Sequence, residues 1–251
     1  MIPYNSFYSI NLGFITIQSW GLMVALGFAL GIWLALKETK RKKLDQERVY
    51  GIATIALIGG ILGCRALWII ENWKYYITNP LEALKIWDGG MSYFGGLITV
   101  IILLIWYIKK HKLNFYKYAD CVTPALIIGQ ALGRIGCILG DGGHLGKITT
   151  MPWGALYNGE IRHLTAAYEL IGLIILFTIA MIARKRKTQD GLIFNSYMIS
   201  YGILRLITDY FRADPTYYGL TLAQYTSIAF ITVFGTILLM RLKNENKKTH
   251  K

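Results

Sequence analysis

The sequence predicts an all-α, polytopic membrane protein, because it is strongly apolar, its apolar residues form long runs, and its basic residues lie mostly between those runs. Of 251 residues, 54% are hydrophobic and 16% are charged, and the mean hydropathy is +0.41. The net charge of +13 alone would suit a protein that binds nucleic acid, but such a protein carries fewer apolar residues. We therefore expect no nucleic-acid partner.

Seven apolar runs are the candidates for membrane spans, and no soluble domain is recognisable between them. Each run is close to the roughly 20 residues that a helix needs to cross the hydrocarbon core. The first residues of the chain lack the features of a cleaved signal, so no removed segment is expected. We predict one integral membrane domain over residues 1–251, with spans at Trp20–Leu36, Gly51–Ile70, Tyr93–Ile108, Cys121–Leu139, Thr165–Ala183, Leu192–Phe211 and Leu222–Met240.

The distribution of basic residues predicts the orientation of these spans. The connections on one side hold 19 of the 27 Lys and Arg residues, whereas the opposite connections hold four. Because cytoplasmic connections are enriched in Lys and Arg, the amino terminus is predicted outside and the carboxyl terminus in the cytoplasm.

Three of the remaining arginines, Arg65, Arg134 and Arg205, lie inside spans, where an arginine costs about 2.5 to 3.5 kcal/mol on insertion scales. All three start about 8 to 9 Å below the outer end of their helices. They could snorkel to the headgroups or pair with carboxylates, and Asp209 lies four residues after Arg205. The shared depth favours one anionic ligand, and a lipid phosphate is the natural anion there.

Glycine-rich segments lie on the same outer side. One precedes and enters the third run and includes Gly95 and Gly96, and the other follows Arg134. Such segments allow close approach of the backbone to a ligand, although they also form ordinary turns.

Several motifs, in order along nearly the whole chain, resemble those of the prolipoprotein diacylglyceryl transferase family. They are Asn79–Ser92, Gly129–Gly136, Lys147–Gly154, Arg162–Glu169, Tyr201–Arg212 and Leu222–Tyr225. The resemblance implies a seven-span enzyme of the bacterial cytoplasmic (inner) membrane.

The resemblance also implies an activity. A diacylglyceryl group would pass from phosphatidylglycerol to the thiol of the lipobox cysteine of a prolipoprotein, with release of glycerol phosphate, as the first step of lipoprotein maturation. The implied partners are phosphatidylglycerol, the signal-peptide and lipobox region and membrane lipid, and no cofactor or metal is implied. Arg134 and Arg205 are the expected catalytic cations. The expected substrate-binding residues are Arg134, Arg65, Arg205, Asp209, Gly95, Gly96, Gln130, His163 and Glu169.

The chain departs from the family pattern at two positions, and one of these departures leaves the identity of the base open. Phe94 stands where the family usually has histidine before Gly-Gly, and Cys137 stands where it usually has asparagine. His144 is our first candidate for the base, because its charge changes near neutral pH, and Asp141 is the second. His163, or activation of the thiol by arginine electrostatics alone, remains an alternative, and His144 is otherwise an ordinary loop residue.

Three other functions compete with this interpretation. A transporter or lipid-binding protein would use the arginines to receive an anion without chemistry, and a paralogue of the family would modify a different acceptor. A retinal-type receptor is disfavoured because the last apolar run, Leu222–Met240, has no lysine.

Overall fold

The computed structural model describes residues 2–13, 16–86, 89–140, 145–186 and 189–249, and most of them are helical. Six helices are long and apolar enough to cross a membrane. They confirm a polytopic membrane protein at the level of length and composition. Their bounds are Ser19–Arg41, Glu47–Glu71, Tyr93–Lys110, Phe115–Gly140, Thr165–Ala183 and Leu222–Lys243.

The nine α-helices of the described residues are α1 (Ser19–Arg41), α2 (Glu47–Thr54), α3 (Gly60–Glu71), α4 (Trp73–Thr78), α5 (Tyr93–Lys110), α6 (Phe115–Gly140), α7 (Thr165–Ala183), α8 (Leu192–Asp209) and α9 (Leu222–Thr249). A π-helical turn, Ile55–Gly59, joins α2 to α3, so that these two helices form one continuous segment. A short 3₁₀ helix, Pro80–Leu84, follows α4.

Helix α8 coincides with the remaining predicted span but is not among the six membrane-length helices. It carries polar residues within its 18 residues, and three of them, Asn195, Thr208 and Asp209, are buried by the protein itself. A helix that lies among other helices needs no continuous apolar surface, because it meets protein rather than lipid. Seven membrane crossings therefore remain a prediction.

The chain divides into two compact units, the first of Met1–Ala35 with Ala119–Lys251 and the second of Leu36–Tyr118. The first unit has its core between α6, α7 and α8, where Ile127 and Leu173 are fully buried. Gly27 of α1 lies against Gly129 of α6, and a Cβ at Gly27 would meet the Gly129 Cα at 3.3 Å. Small residues at such crossings let helix backbones approach closely.

A buried carboxylate on α6 binds the start of α8. Asp120 accepts the backbone N–H of Gly191 at 2.8 Å on one oxygen and that of Phe194 at 2.9 Å on the other. The first N–H groups of a helix have no partner within the helix, so a carboxylate there satisfies them and complements the helix dipole.

A small sheet in the first unit connects α6 to α7. Its strands are β1 (Ile2–Pro3), β4 (Leu145–Ile148), β5 (Ala155–Tyr157) and β6 (Glu160–Leu164), in the order β1-β5-β6-β4. Strand β1 is parallel to β5, and β6 is antiparallel to both of its neighbours. The remaining strands, β2 (Ser9–Asn11) and β3 (Thr16–Gln18), pair with each other.

The second unit is built on the packing of α3 against α5 through glycines. A Cβ at Gly95 would collide with the carbonyl oxygen of Gly63, and a Cβ at Gly96 would collide with the sulfur of Cys64. The glycine pair at the start of α5 is therefore required for this helix contact.

Candidate active site

A buried carboxylate in the first unit binds both of the predicted catalytic arginines. Glu169 of α7 is 1% exposed. Its Oε1 lies 2.8 Å from Nη2 of Arg134 on α6, and its Oε2 lies 2.8 Å from Nη1 of Arg205 on α8. Three helices thus bring the arginines together around one acidic group. A buried carboxylate of this kind is tolerated because it is paired and hydrogen-bonded.

A second carboxylate extends the cluster along α8. Asp209 Oδ1 lies 3.5 Å from Arg205 Nη2, so the ion pair predicted from the four-residue spacing is confirmed. The other oxygen, Oδ2, accepts the hydroxyl of Thr221 at 2.5 Å. Thr221 and Gln224 in turn bond reciprocally to each other's backbone N–H at the start of α9, as in a capping box. The formal charges of two guanidinium groups and two carboxylates cancel.

Tyrosines on α8 complete this network. The hydroxyl of Tyr201 donates to Glu169 Oε1 at 3.2 Å, and that of Tyr197 donates to Gln130 Oε1 at 2.8 Å. The two rings stack at 5.9 Å with an interplanar angle of 29°. Neither tyrosine is among the site residues predicted from the sequence. The signal was available, because residues 197, 201, 205 and 209 are spaced by four and so share one face of a helix.

The arginines are more accessible than the carboxylate that holds them. The side chains of Arg134 and Arg205 are 21% and 15% exposed, whereas that of Glu169 is 2% exposed. A guanidinium has five N–H donors, and a single carboxylate oxygen uses one or two of them. The cluster can therefore present further donors to an anionic group, in an orientation that Glu169 determines.

Arg65 lies in the second unit and has a different environment. It is 6% exposed, and its guanidinium donates to backbone carbonyl oxygens rather than to a carboxylate. The binding of a shared anion by Arg65 stays a prediction. The same holds for Gly95 and Gly96, which pack against α3.

His163, on β6, lies in an aromatic cluster next to the start of α7. Its Nδ1 is 3.0 Å from the hydroxyl of Tyr168, which also accepts a hydrogen bond from Trp153 Nε1 at 3.1 Å. The ring lies 4.9 Å from that of Phe211. Burial, together with the charge of Lys147, lowers the pKa of His163 below its usual 6.5. The imidazole is therefore neutral at physiological pH.

The two predicted bases, Asp141 and His144, lie outside the described residues. Cys137 is buried on α6, three residues after Arg134. Within the described ranges, no group of three His, Cys, Asp or Glu side chains is arranged to hold a metal ion.

Comparison with known proteins places these residues in a family. Residues 8–241 match the family model described as prolipoprotein diacylglyceryl transferase. The chain is 35% identical to a phosphatidylglycerol–prolipoprotein diacylglyceryl transferase of Finegoldia magna, over 92% of this chain and 93% of that protein. Proteins of the same name from Clostridioides difficile and Geobacter sulfurreducens are 33% and 32% identical. The Clostridioides difficile alignment covers 93% of this chain and 94% of its relative, and the Geobacter sulfurreducens alignment covers 91% and 90%.

Proposed function

The chain belongs to the prolipoprotein diacylglyceryl transferase family, and we propose that it transfers the diacylglyceryl group of phosphatidylglycerol to the lipobox cysteine of a prolipoprotein. The cysteine sulfur forms a bond to the terminal glyceryl carbon of the diacylglyceryl group. The bond between that carbon and the phosphodiester oxygen breaks, and its electron pair leaves with glycerol phosphate. The thiol proton passes to a base or to solvent.

The observation that carries this proposal is the pairing of Arg134 and Arg205 on one buried carboxylate. The phosphodiester begins with one negative charge and leaves as a phosphate monoester with more negative charge. Preorganised cations in a site with little water stabilise that growing charge more than they stabilise the substrate. In our proposal Glu169 fixes the orientation of both guanidinium groups, and their remaining N–H groups bind the phosphate.

Three other predicted site residues of the first unit have polar partners that suggest a role for each. Asp209 would orient Arg205, to which it is ion-paired. Gln130 accepts from Tyr197 through its carbonyl oxygen, so its NH₂ group is the donor it would offer to a substrate. His163, neutral and bonded through Nδ1 to the Tyr168 hydroxyl, would bind substrate through Nε2 rather than act as a cation.

The thiol must lose a proton, because the thiolate is the nucleophile and a free cysteine has a pKa of about 8.5. We propose His144 as the base and Asp141 as the alternative, since both follow α6 shortly after Arg134 in the sequence. Activation by the arginines alone requires no base, so the two mechanisms predict different effects of removing His144.

We further propose that the protein is one membrane domain with seven crossings, formed by the six membrane-length helices and α8. The excess of basic residues in one set of connections supports an outer amino terminus and a cytoplasmic carboxyl terminus. In a bacterium, this orientation would place the acceptor cysteine and the clamp on the outer side of the inner membrane.

The decisive experiment uses purified protein, phosphatidylglycerol vesicles and a lipobox peptide. We expect the peptide to gain the mass of a diacylglyceryl group and glycerol phosphate to appear in equal amount. A peptide with serine in place of cysteine is the control and should gain no mass. If folded protein binds phosphatidylglycerol but modifies no peptide, while the Finegoldia magna relative is active in parallel, the function is binding or transport of lipid rather than transfer.

A further inference from the structure

We propose that Arg65 is a positioning residue. Its guanidinium fixes the conformation of the connection between α4 and α5 by donating hydrogen bonds to the backbone carbonyls of that connection. The described residues of this connection, 79–86 and 89–92, are called the outer loop here. The inference rests on the proposed function only in its kinetic part. Its structural part is independent of what the protein catalyses.

The guanidinium of Arg65 makes four hydrogen bonds to the outer loop. Nε donates to the carbonyl of Ala83 at 3.0 Å, and Nη2 donates to that of Glu82 at 2.6 Å. Nη1 donates to the carbonyls of both Gly89 and Gly90, at 2.6 and 3.1 Å. One side chain on α3 therefore links two stretches of the outer loop, residues 82–83 and residues 89–90.

Only an arginine can make this set of contacts. Its planar fork carries five N–H donors in fixed directions, whereas lysine has one nitrogen with three donors. The guanidinium also lies 5.4 Å from the ring centroid of Tyr76, which provides the attraction of an aromatic face. Because these hydrogen bonds use most of its N–H donors, Arg65 has few donors left to bind an external phosphate.

The glycines of the outer loop are needed for the same arrangement. Gly89 and Gly90 have φ values of +83° and +74°, in the region that side-chain-bearing residues rarely adopt. A Cβ at Gly90 would lie 2.5 Å from Trp68 Nε1 and 2.9 Å from Arg65 Nη1. Their backbone conformation allows the successive carbonyls of Gly89 and Gly90 to accept hydrogen bonds from the same nitrogen, Arg65 Nη1.

The conformation of the loop continues into the start of α5. Ser92, the last residue before the helix, donates its backbone N–H to the carbonyl of Cys64 at 3.0 Å, next to Arg65 in the chain. Its hydroxyl donates to Glu71 at 3.1 Å. Three residues later Gly95 packs on Gly63. Arg65 thus sets the path by which the chain reaches Gly95 and Gly96, the glycines that we predict to contact substrate.

The test compares Arg65→Lys with Arg41→Lys, a matched change at a partly exposed arginine that is paired with Glu38. Both are measured by hydrogen exchange of loop amides and by steady-state kinetics with phosphatidylglycerol. For Arg65→Lys we expect exchange at residues 82–86 and 89–92 to rise about tenfold and kcat to fall about tenfold, with KM within about twofold of wild type. Arg41→Lys should match wild type in all three.

A second variant keeps the proposal testable if Arg65→Lys does not fold. Gly90→Ala leaves the charge of Arg65 in place but obstructs the carbonyl arrangement, so it should reproduce the rise in exchange and the fall in kcat. Unchanged loop exchange in either variant would overturn the positioning role. A selective rise in KM for phosphatidylglycerol in Arg65→Lys, with an unchanged loop, would show instead that Arg65 binds the phosphate. If wild type itself transfers nothing, the proposed function fails while the exchange result still decides the role of Arg65.

Discussion

Arg134 and Arg205 lie on different helices, and each places a guanidinium nitrogen 2.8 Å from an oxygen of the same buried carboxylate. That carboxylate, Glu169, sets the spacing and direction of the two cations before any substrate arrives. In our proposal these two guanidinium groups bind the leaving phosphate. Because Glu169 already holds them, they need not reorganise as charge develops, which is the condition for strong electrostatic catalysis.

The first prediction concerns the carboxylate itself. Glu169→Gln keeps the shape of the side chain but removes its charge, which leaves two partly buried guanidinium groups without their shared counter-ion. We expect the free energy of unfolding to fall by about 3 kcal/mol, and the transfer rate to fall about tenfold or more because the cations are no longer held in place. Melting temperature and turnover of the purified variant measure the two effects.

Glu160→Gln is the matched control, because Glu160 pairs with Arg162 on a strand and half of its side chain is exposed. It should change stability by less than about 1 kcal/mol. Equal effects of the two substitutions would contradict a special role of Glu169.

The second prediction concerns the pH response of His163. Burial and the charge of Lys147 lower the pKa of His163 in the folded state, so the unfolded chain binds the proton more tightly. This histidine therefore contributes stability above about pH 6.5 that is lost as the pH falls through its lowered pKa. NMR titration of the labelled imidazole should give a pKa below 6.5.

Lys147→Met removes the nearby positive charge and should raise the pKa of His163 towards its usual value. Lys74→Met, which removes a charge that does not act on His163, should leave it unchanged. A titration that is the same in wild type and Lys147→Met would show that Lys147 has no influence on the imidazole.

The third prediction concerns the binding of α8 by Asp120. Asp120→Ala removes both acceptors from the N–H groups of Gly191 and Phe194, and we expect a loss of about 2 to 3 kcal/mol in the free energy of unfolding. Asp120→Asn retains one acceptor oxygen and should lose about half as much. Thermal unfolding in detergent distinguishes the two variants. Equal stability of Asp120→Ala and wild type would contradict a stabilising role of Asp120 at the start of α8.

Much of the helical fold can be predicted from hydrophobic runs, but the ends of the helices cannot. The run Cys121–Leu139 predicts α6, which the structure extends to Phe115–Gly140, and Gly51–Ile70 predicts the segment Glu47–Glu71. Hydrophobicity marks the part of a helix that needs an apolar environment, whereas helical hydrogen bonds continue into polar sequence. The small sheet is not predicted, because Ile2–Pro3 pairs with Ala155–Leu156, far away in the chain.

The pairings of the intramembrane arginines could not be predicted from the sequence. The equal depth of Arg65, Arg134 and Arg205 predicts one shared anion. In the structure Arg134 and Arg205 share Glu169, while Arg65 bonds to loop carbonyls in the second unit. Depth along a helix follows from counting residues, but the direction of a side chain around the helix axis depends on which helices pack together. The spacing of Tyr197, Tyr201, Arg205 and Asp209 is a local sign of a polar helix face.

The most direct test of the central claim measures the mass of a lipobox peptide after incubation with phosphatidylglycerol and either wild type, Arg134→Ala or Arg41→Ala. We predict that wild type and Arg41→Ala add a diacylglyceryl group at similar rates. Arg134→Ala should be at least about a hundredfold slower while remaining folded, as expected for the loss of a group that stabilises developing charge. A folded Arg134→Ala variant that modifies the peptide within about twofold of the wild-type rate would contradict the arginine clamp.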